Sequence, residues 1–217
     1  MKNSYLISFV FSLGIFFNVF SQTSMTIELN NGQTVTYKLS EVDSIKHTVG
    51  APDDKNLYYS VRDIGPAGGM VIYDKGYYSD NWRYIEISLR TIEYYFDDYG
   101  CYGTVLQSGL TDIGDGMANT VAIVSNCNEA NTFARKCYNH SVNIDGVVYD
   151  DWYLPSIEEL RQAYNNLTLF GIDFQPFSAA SSSEFGGNSY LYFDFISGIG
   201  TWTGRYQEQP VHPIRYF

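Results

Sequence analysis

Basic residues are scarce in this 217-residue chain: 13 Lys and Arg stand against 24 Asp and Glu, giving a formal charge of -11. Such a balance repels nucleic acid and anionic membrane surfaces, and it argues against both as partners. The acid surplus otherwise reads as a soluble surface. Histidine is scarcer still, with only His47, His140 and His212, and neither a Gly-x-Ser-x-Gly nor a His-Glu-x-x-His motif occurs. The usual hydrolase machinery is therefore missing. No two of the three cysteines, Cys101, Cys127 and Cys137, stand at the two-to-four residue spacing that a zinc site uses, so the metal reading is weak. Long apolar runs are also missing, with one exception at the start of the chain.

That exception covers residues 6–20, after a single positive charge at Lys2 and ahead of Val19-Phe20-Ser21. It is about 15 residues long, short of the roughly 20 that a helix needs to cross a bilayer. A charged n-region, an apolar h-region and a small residue at the cut make a secretory signal peptide, and we expect cleavage after Ser21. An uncleaved anchor is the alternative reading; no Cys follows the run, so a lipid anchor has no support. Export places the protein in the periplasm, at the cell surface or outside, where disulfides persist. One pair and one leftover follow from three cysteines. Cys127 and Cys137, ten apart around a break between two helical stretches, are the expected pair, leaving Cys101 free.

Four segments follow from the patterning: 1–21 as signal peptide, 22–48 as a small β-hairpin unit, 49–56 as a Gly/Pro/Asp linker, and 57–217 as the main domain. The hairpin alternates apolar and polar residues on either side of Asn30-Asn31-Gly32. Beyond residue 57, Ile64-Gly65-Pro66-Ala67-Gly68-Gly69 turns into one strand, and a second strand follows Asp80-Asn81. The glycines do not form a phosphate loop, because no Gly-Lys-Ser/Thr follows and they lead into a strand. Residues 94–116 read as an ordered loop rich in Tyr, Asp and Gly. Helices are expected over 120–127 and about 129–140. A third begins at Ser156, where Glu159 completes a capping box and Ile157, Leu160, Ala163, Tyr164 and Leu167 form an apolar stripe. The remainder is strands and turns, so the fold class is α+β with two or three helices and a twisted, mostly antiparallel sheet.

The order of these segments resembles the Lcl C-terminal-like family, the C-terminal domain of bacterial collagen-like adhesins. The resemblance rests on the residue 64–69 turn, Trp82-Arg83-Tyr84-Ile85-Glu86, Gly114-Asp115-Gly116 with Asn119-Thr120, Asp151-Trp152-Tyr153-Leu154-Pro155-Ser156, Ser181-Ser182-Ser183-Glu184, and Val211-His212-Pro213-Ile214-Arg215. It covers residues 57–217 and implies a C-type-lectin-like fold related to that of formylglycine-generating enzymes. Ala180 and His212 depart from the family pattern, where an aromatic and an Arg are usual. The cysteine pair of the formylglycine-generating group is missing, since no cysteine follows Cys137.

The expectation is therefore an adhesin-like binding protein and not an enzyme. It would recognise an extracellular glycan, matrix polymer or surface protein through Phe185, Asn188, Tyr190, Tyr192, Trp202, Arg205, Tyr206 and Gln207, whose Tyr/Trp/Ser/Gly/Asn setting is that of antibody paratopes. Strand alternation would turn Tyr190 and Tyr192 outward and Leu191, Phe193 and Phe195 inward. The alternatives are a structural or assembly component of the cell envelope, and a hydrolase using loop carboxylates such as Asp97-Asp98 or Asp150-Asp151. No cofactor is expected. Calcium is a secondary option through Asn143, Asp145, Asp150 and Asp151, which fail the EF-hand template.

Overall fold

A computed structural model describes residues 58–91, 98–172 and 177–217, together with three N-terminal strands at 16–20, 24–28 and 34–38. The linker expected over 49–56 and Asp97 lie outside the described residues. The chain divides into two compact units, Met1–Tyr58 and Tyr59–Phe217. In the first, β1 (Phe16–Phe20), β2 (Ser24–Glu28) and β3 (Thr34–Lys38) form an antiparallel sheet in that order, Ser24 facing Lys38 and Glu28 facing Thr34. The last five residues of the apolar run thus form β1.

The second unit is α+β. One antiparallel sheet takes the order β11-β5-β4, from β4 (Met70–Ser79), β5 (Trp82–Ile87) and β11 (Ile214–Tyr216). A second takes the order β10-β9-β8, from β8 (Ser178–Glu184), β9 (Ser189–Asp194) and β10 (Ile199–Gly204). A short hairpin joins β6 (Val142–Ile144) to β7 (Val147–Tyr149) through Asp145 and Gly146, both with positive φ, a turn that those residue types tolerate. The helices are α1 (Gly116–Asn126), α2 (Phe133–Tyr138) and α3 (Ile157–Asn166). Among the described residues no helix is long and apolar enough to cross a membrane.

The third helix follows from its local sequence. Ser156 Oγ accepts from the Glu159 amide and the Glu159 carboxylate accepts from the Ser156 amide, a complete capping box. Its stripe buries Ile157, Leu160, Ala163 and Leu167, with Tyr164 half-buried, against Ile72 and Ile85 of the first sheet and Phe193 of the second. The first two helices differ from expectation. The first begins at Gly116, where the backbone passes so close to Tyr153 and Leu154 that a side chain would collide with them. The second is shorter than 129–140, because residues 131–133 bridge in parallel to Asp98, the Phe133 amide donating to the Asp98 carbonyl at 2.9 Å, and Thr132 then caps the helix.

Strands β8 and β9 are covered on both faces. Phe193 belongs to the cluster under α3, while Tyr190 and Ala180 belong to a second cluster with Ile123, Phe133, Ala134, Cys127 and Cys137 from around α1 and α2. Alternation along β9 therefore separates two cores, and the outward orientation expected for Tyr190 is corrected.

Candidate ligand-binding face

Three carboxylates are sunk into the second unit, and each gathers a loop. Glu86 accepts from the Ala67 and Gly69 amides at 3.2 and 2.9 Å and from Arg215 at 2.7 Å, and side chains at Gly65 or Gly69 would strike it. The 64–69 turn is thus a collar around a buried acid. Arg215 also holds Asp151 through two hydrogen bonds of 2.6 and 2.8 Å. Glu159 accepts from the Gly114 and Ser156 amides and the Tyr153 hydroxyl, with no cation beside it, and burial pushes it up to about 7. Glu184 accepts from the Leu106 and Ser108 amides and pairs with Arg205.

The Glu184 network supports the surface expected to bind. Arg205 is 1% exposed, donates to the Gly100 and Cys101 carbonyls at 3.1 and 2.9 Å and to Gly186, and lies over the Tyr99 ring. Tyr99 stacks on Tyr190 at 4.8 Å, and its hydroxyl donates to the Ser182 carbonyl. Tyr190 is 0% exposed and donates to the Gln207 carbonyl. Two of the expected ligand contacts, Tyr190 and Arg205, are therefore scaffold and are corrected as such: the ring fills the core, and the guanidinium neutralises a buried acid. Tyr192 is half-buried against the same cluster.

What this scaffold presents is aromatic. At the end of the β8–β10 sheet, Phe185 (56% exposed) and Trp202 (60%) lie nearly parallel at 6.2 Å, while Tyr102 (62%) and Tyr206 (65%) approach at 6.0 Å. Asn188 and Gln207 are exposed beside them in the chain. The loops are bonded together: the Gly103 amide donates to the Gly187 carbonyl at 2.7 Å, and Arg205 donates through its amide to Asn188. A Cβ at Gly187 would stand 3.3 Å from the Gly103 backbone, a tight contact that a glycine avoids. Sequence reasoning missed Tyr102. Its only signal was the tyrosine density of residues 94–116, which does not say which ring meets Tyr206.

The disulfide also differs from expectation: Cys101 joins Cys127, and Cys137 is free and buried. The parallel bridge from Asp98 to Thr132 carries the Tyr102 loop back to the end of α1, and Gly100 passes the Cys127 sulfur so closely that a Cβ would stand 3.0 Å from it. Cys137 points instead into the core under α2, where burial pushes its thiol well up. With Cys101 and Cys127 bonded, Glu129 accepts from the Cys101 amide at 3.1 Å and anchors the same loop. Two of the residues considered for calcium or hydrolysis have partners within the fold. Asn143 Oδ1 accepts from the Gly146 amide, and Asp151 is held by Arg215. His140 packs edge-on against Trp152, and burial lowers His212 to about 4 while its Nδ1 donates to the Ser88 carbonyl.

Comparison with protein-family models and with curated proteins finds no match. The class of protein that fold and site define is thus an α+β domain with an aromatic surface on tied-down loops.

Proposed function

We propose that the chain is an exported, non-enzymatic protein whose residues 59–217 form a C-type-lectin-like recognition domain of the Lcl C-terminal-like kind. It binds a glycan, a matrix polymer or a surface protein through Phe185, Trp202, Tyr102 and Tyr206, with Asn188 and Gln207 supplying hydrogen bonds. One observation carries this reading: four large aromatic rings are exposed, Trp202 on the edge strand β10 and the other three on adjoining loops tied to a buried ion pair and a disulfide. Exposed rings held rigidly lose little entropy on binding, and tyrosine and tryptophan supply contact area with few rotatable bonds. The family resemblance is supported by the way its motifs meet in space. The glycine turn and the Ile214–Tyr216 strand close on Glu86, and Gly114 and Ser156 close on Glu159. The apolar run at residues 6–20 supports export.

A glycan and matrix array, run with and without calcium, tests the reading beside a variant with Tyr102, Phe185, Trp202 and Tyr206 all changed to Ser. Binding that disappears while the thermal midpoint stays within a few degrees supports the face; binding retained by the variant overturns it. The second reading, an envelope assembly component, is favoured by the pairing of β2: cleavage after Ser21 removes its β1 neighbour and leaves an edge to which a partner's strand can add. Deleting residues 22–50 separates the two: a recognition domain keeps its ligand, and an assembly module loses its place in the envelope.

A further inference from the structure

The two three-stranded sheets of the second unit end in β8, β10, β4 and β11, and only one of these edges lies open. Loops cover β8, whose Ala180, Ser182 and Glu184 amides donate to the Pro210, Pro155 and Ser108 carbonyls at 2.9, 2.7 and 2.9 Å. Ile214 of β11 exchanges bonds of 3.0 and 2.9 Å with Tyr153. β4 shifts its register between Val71 and Tyr73 and again between Asp74 and Ser79, and it carries Asp74 and Lys75. Bulges and charges of that kind keep an edge from pairing.

β10 has none of these protections. It reads Ile199-Gly200-Thr201-Trp202-Thr203-Gly204, without charge or proline, and pairs with β9 in unbroken register. Among the described residues, the only backbone donor on its outer side is the Gln207 amide, which closes the following turn onto the Gly204 carbonyl at 3.0 Å. The ladder fixes which groups point outward. Arg205 donates through its amide to Asn188 opposite it at 3.1 Å, so Thr203 and Thr201 also bond to β9, while Gly200, Trp202 and Gly204 turn their N–H and C=O groups away from it.

Residues 200–204 form a palindrome, Gly-Thr-Trp-Thr-Gly. Antiparallel pairing about a two-fold axis runs a strand against its own reverse, so a palindrome sets like against like. Trp202 meets Trp202 of a second copy on the axis, Thr201 meets Thr203, and Gly200 meets Gly204. Because Trp202 faces outward, the two tryptophans exchange both of their backbone bonds, and each Gly204 amide reaches a Gly200 carbonyl. The threonines fall at the closer, non-bonded positions, where Thr facing Thr is a favourable cross-strand pair. The diagonal neighbours of the second indole are the two glycines. Ile157 stands 2.9 Å from the Cβ position of Gly200, and the Tyr206 ring 3.2 Å from that of Gly204, so the indole finds an apolar seat on either side.

We propose that the chain forms a two-fold dimer in which β10 pairs antiparallel with β10 of a second copy, centred on Trp202, and joins two three-stranded sheets into one. The Phe185 and Trp202 rings of both copies then stand in a row on the same side of the joined sheet. Dimerisation stands apart from the recognition reading; where both hold, the two faces lie side by side and a repeating polymer engages them together.

Sedimentation velocity of the full chain over a roughly hundredfold concentration range tests it, in about 0.15 M salt, where repulsion between two chains of charge -11 is screened beyond about 8 Å. A reversible monomer–dimer equilibrium is the expected result. Thr201→Lys with Thr203→Lys sets like charges against each other across the axis and weakens the dimer at least about tenfold, whereas Thr201→Lys with Thr203→Glu sets opposite charges there and keeps it. Trp202→Lys, at the exposed position on the axis, weakens it to the same degree and spares the half-buried threonines. Thermal midpoints within a few degrees of the wild type show that the variants are folded. A chain that stays monomeric at every concentration overturns the proposal. So does a dimer that survives Trp202→Lys and the double lysine variant, since its contact then lies elsewhere, the β2 edge included. Equal loss in the two double variants overturns the two-fold register.

Discussion

Glu184 and Glu159 are both buried carboxylates that take two backbone amides, yet their environments differ in one respect. Glu184 has the guanidinium of Arg205 against it, and Glu159 has only the neutral hydroxyl of Tyr153. The first site therefore holds an ion pair deep in the protein, and the second holds a group whose proton is retained up to about pH 7 because burial disfavours its charge. The same loop-gathering device is thus built in two electrostatic versions. The paired one should be intolerant of losing its partner; the unpaired one should titrate.

The largest expected effect comes from breaking the pair. Arg205→Ala leaves Glu184 as a buried, uncompensated charge and frees the Gly100, Cys101 and Gly186 carbonyls, so a loss of about 3–5 kcal/mol in urea denaturation is expected. A loss under about 1 kcal/mol would mean that the network is not the scaffold of the Tyr102 and Phe185 loops. Next comes the covalent anchor of the same region. The Cys101–Cys127 bridge spans a separation of 26 residues, and Cys101→Ser with Cys127→Ser should cost about 3 kcal/mol. Peptide mapping after alkylation of the native protein should find no reactive thiol, since Cys137 is buried; a rapidly labelled Cys101 would contradict the pairing.

The Glu159 version is sharpened by pH. Its pKa rises from 4.5 unfolded to about 7 folded, so its contribution is fully present below pH 4.5 and is lost as pH climbs to 7. The folded state holds the extra proton in that window, and stability falls there by an amount on the order of 3 kcal/mol. His212 works in the opposite sense: lowered from 6.5 to about 4, it contributes stability above pH 6.5 that is lost as pH falls toward 4. Between pH 4.5 and 6.5 the two slopes offset each other. Glu159→Gln keeps the neutral hydrogen-bonding shape and removes one slope, so the variant should gain on the wild type steadily from pH 4.5 to 7. Parallel stability–pH curves for the two proteins would show that Glu159 is ionised throughout.

How far the sequence reveals these networks depends on the range of each contact. The Ser156–Glu159 capping box was legible because its partners are three residues apart and both roles are written in residue type. The 64–69 turn was legible as a turn, but Glu86 inside it was not: glycines signal close approach without naming what approaches. Cys101 pairs with Cys127 because a parallel bridge at Asp98 and Thr132 brings two distant loops together, and cysteine spacing carries no trace of that bridge. Tyr190 was misplaced for a different reason. Period-two alternation divides a strand into two faces, but it does not say that helices cover both. Arg205 was read as a ligand contact from its Gly- and Tyr-rich surroundings, and only the position of Glu184 turns it inward. Of the eight residues expected at the face, Phe185, Asn188, Trp202, Tyr206 and Gln207 are exposed, because loop ends that carry aromatics among glycines have little room to bury them.

The smallest stability effect separates face from scaffold most directly. Trp202 stands 60% exposed on the edge strand β10, so Trp202→Ala gives up only its partial packing on Phe185 and should change stability by less than about 0.5 kcal/mol. Tyr190→Ala, on the adjacent strand β9 opposite Thr203, removes a fully buried ring stacked on Tyr99 and should cost about 3–5 kcal/mol. Chemical denaturation of the two variants side by side reads the contrast. If Trp202→Ala costs as much as Tyr190→Ala, the tryptophan is a packing residue whose exposure is incidental, and the aromatic surface loses its central ring as a recognition element. If the cost is small and array binding still falls, the ring is free to serve a partner, and the division between a tied-down interior and a presented surface holds at the level of single side chains.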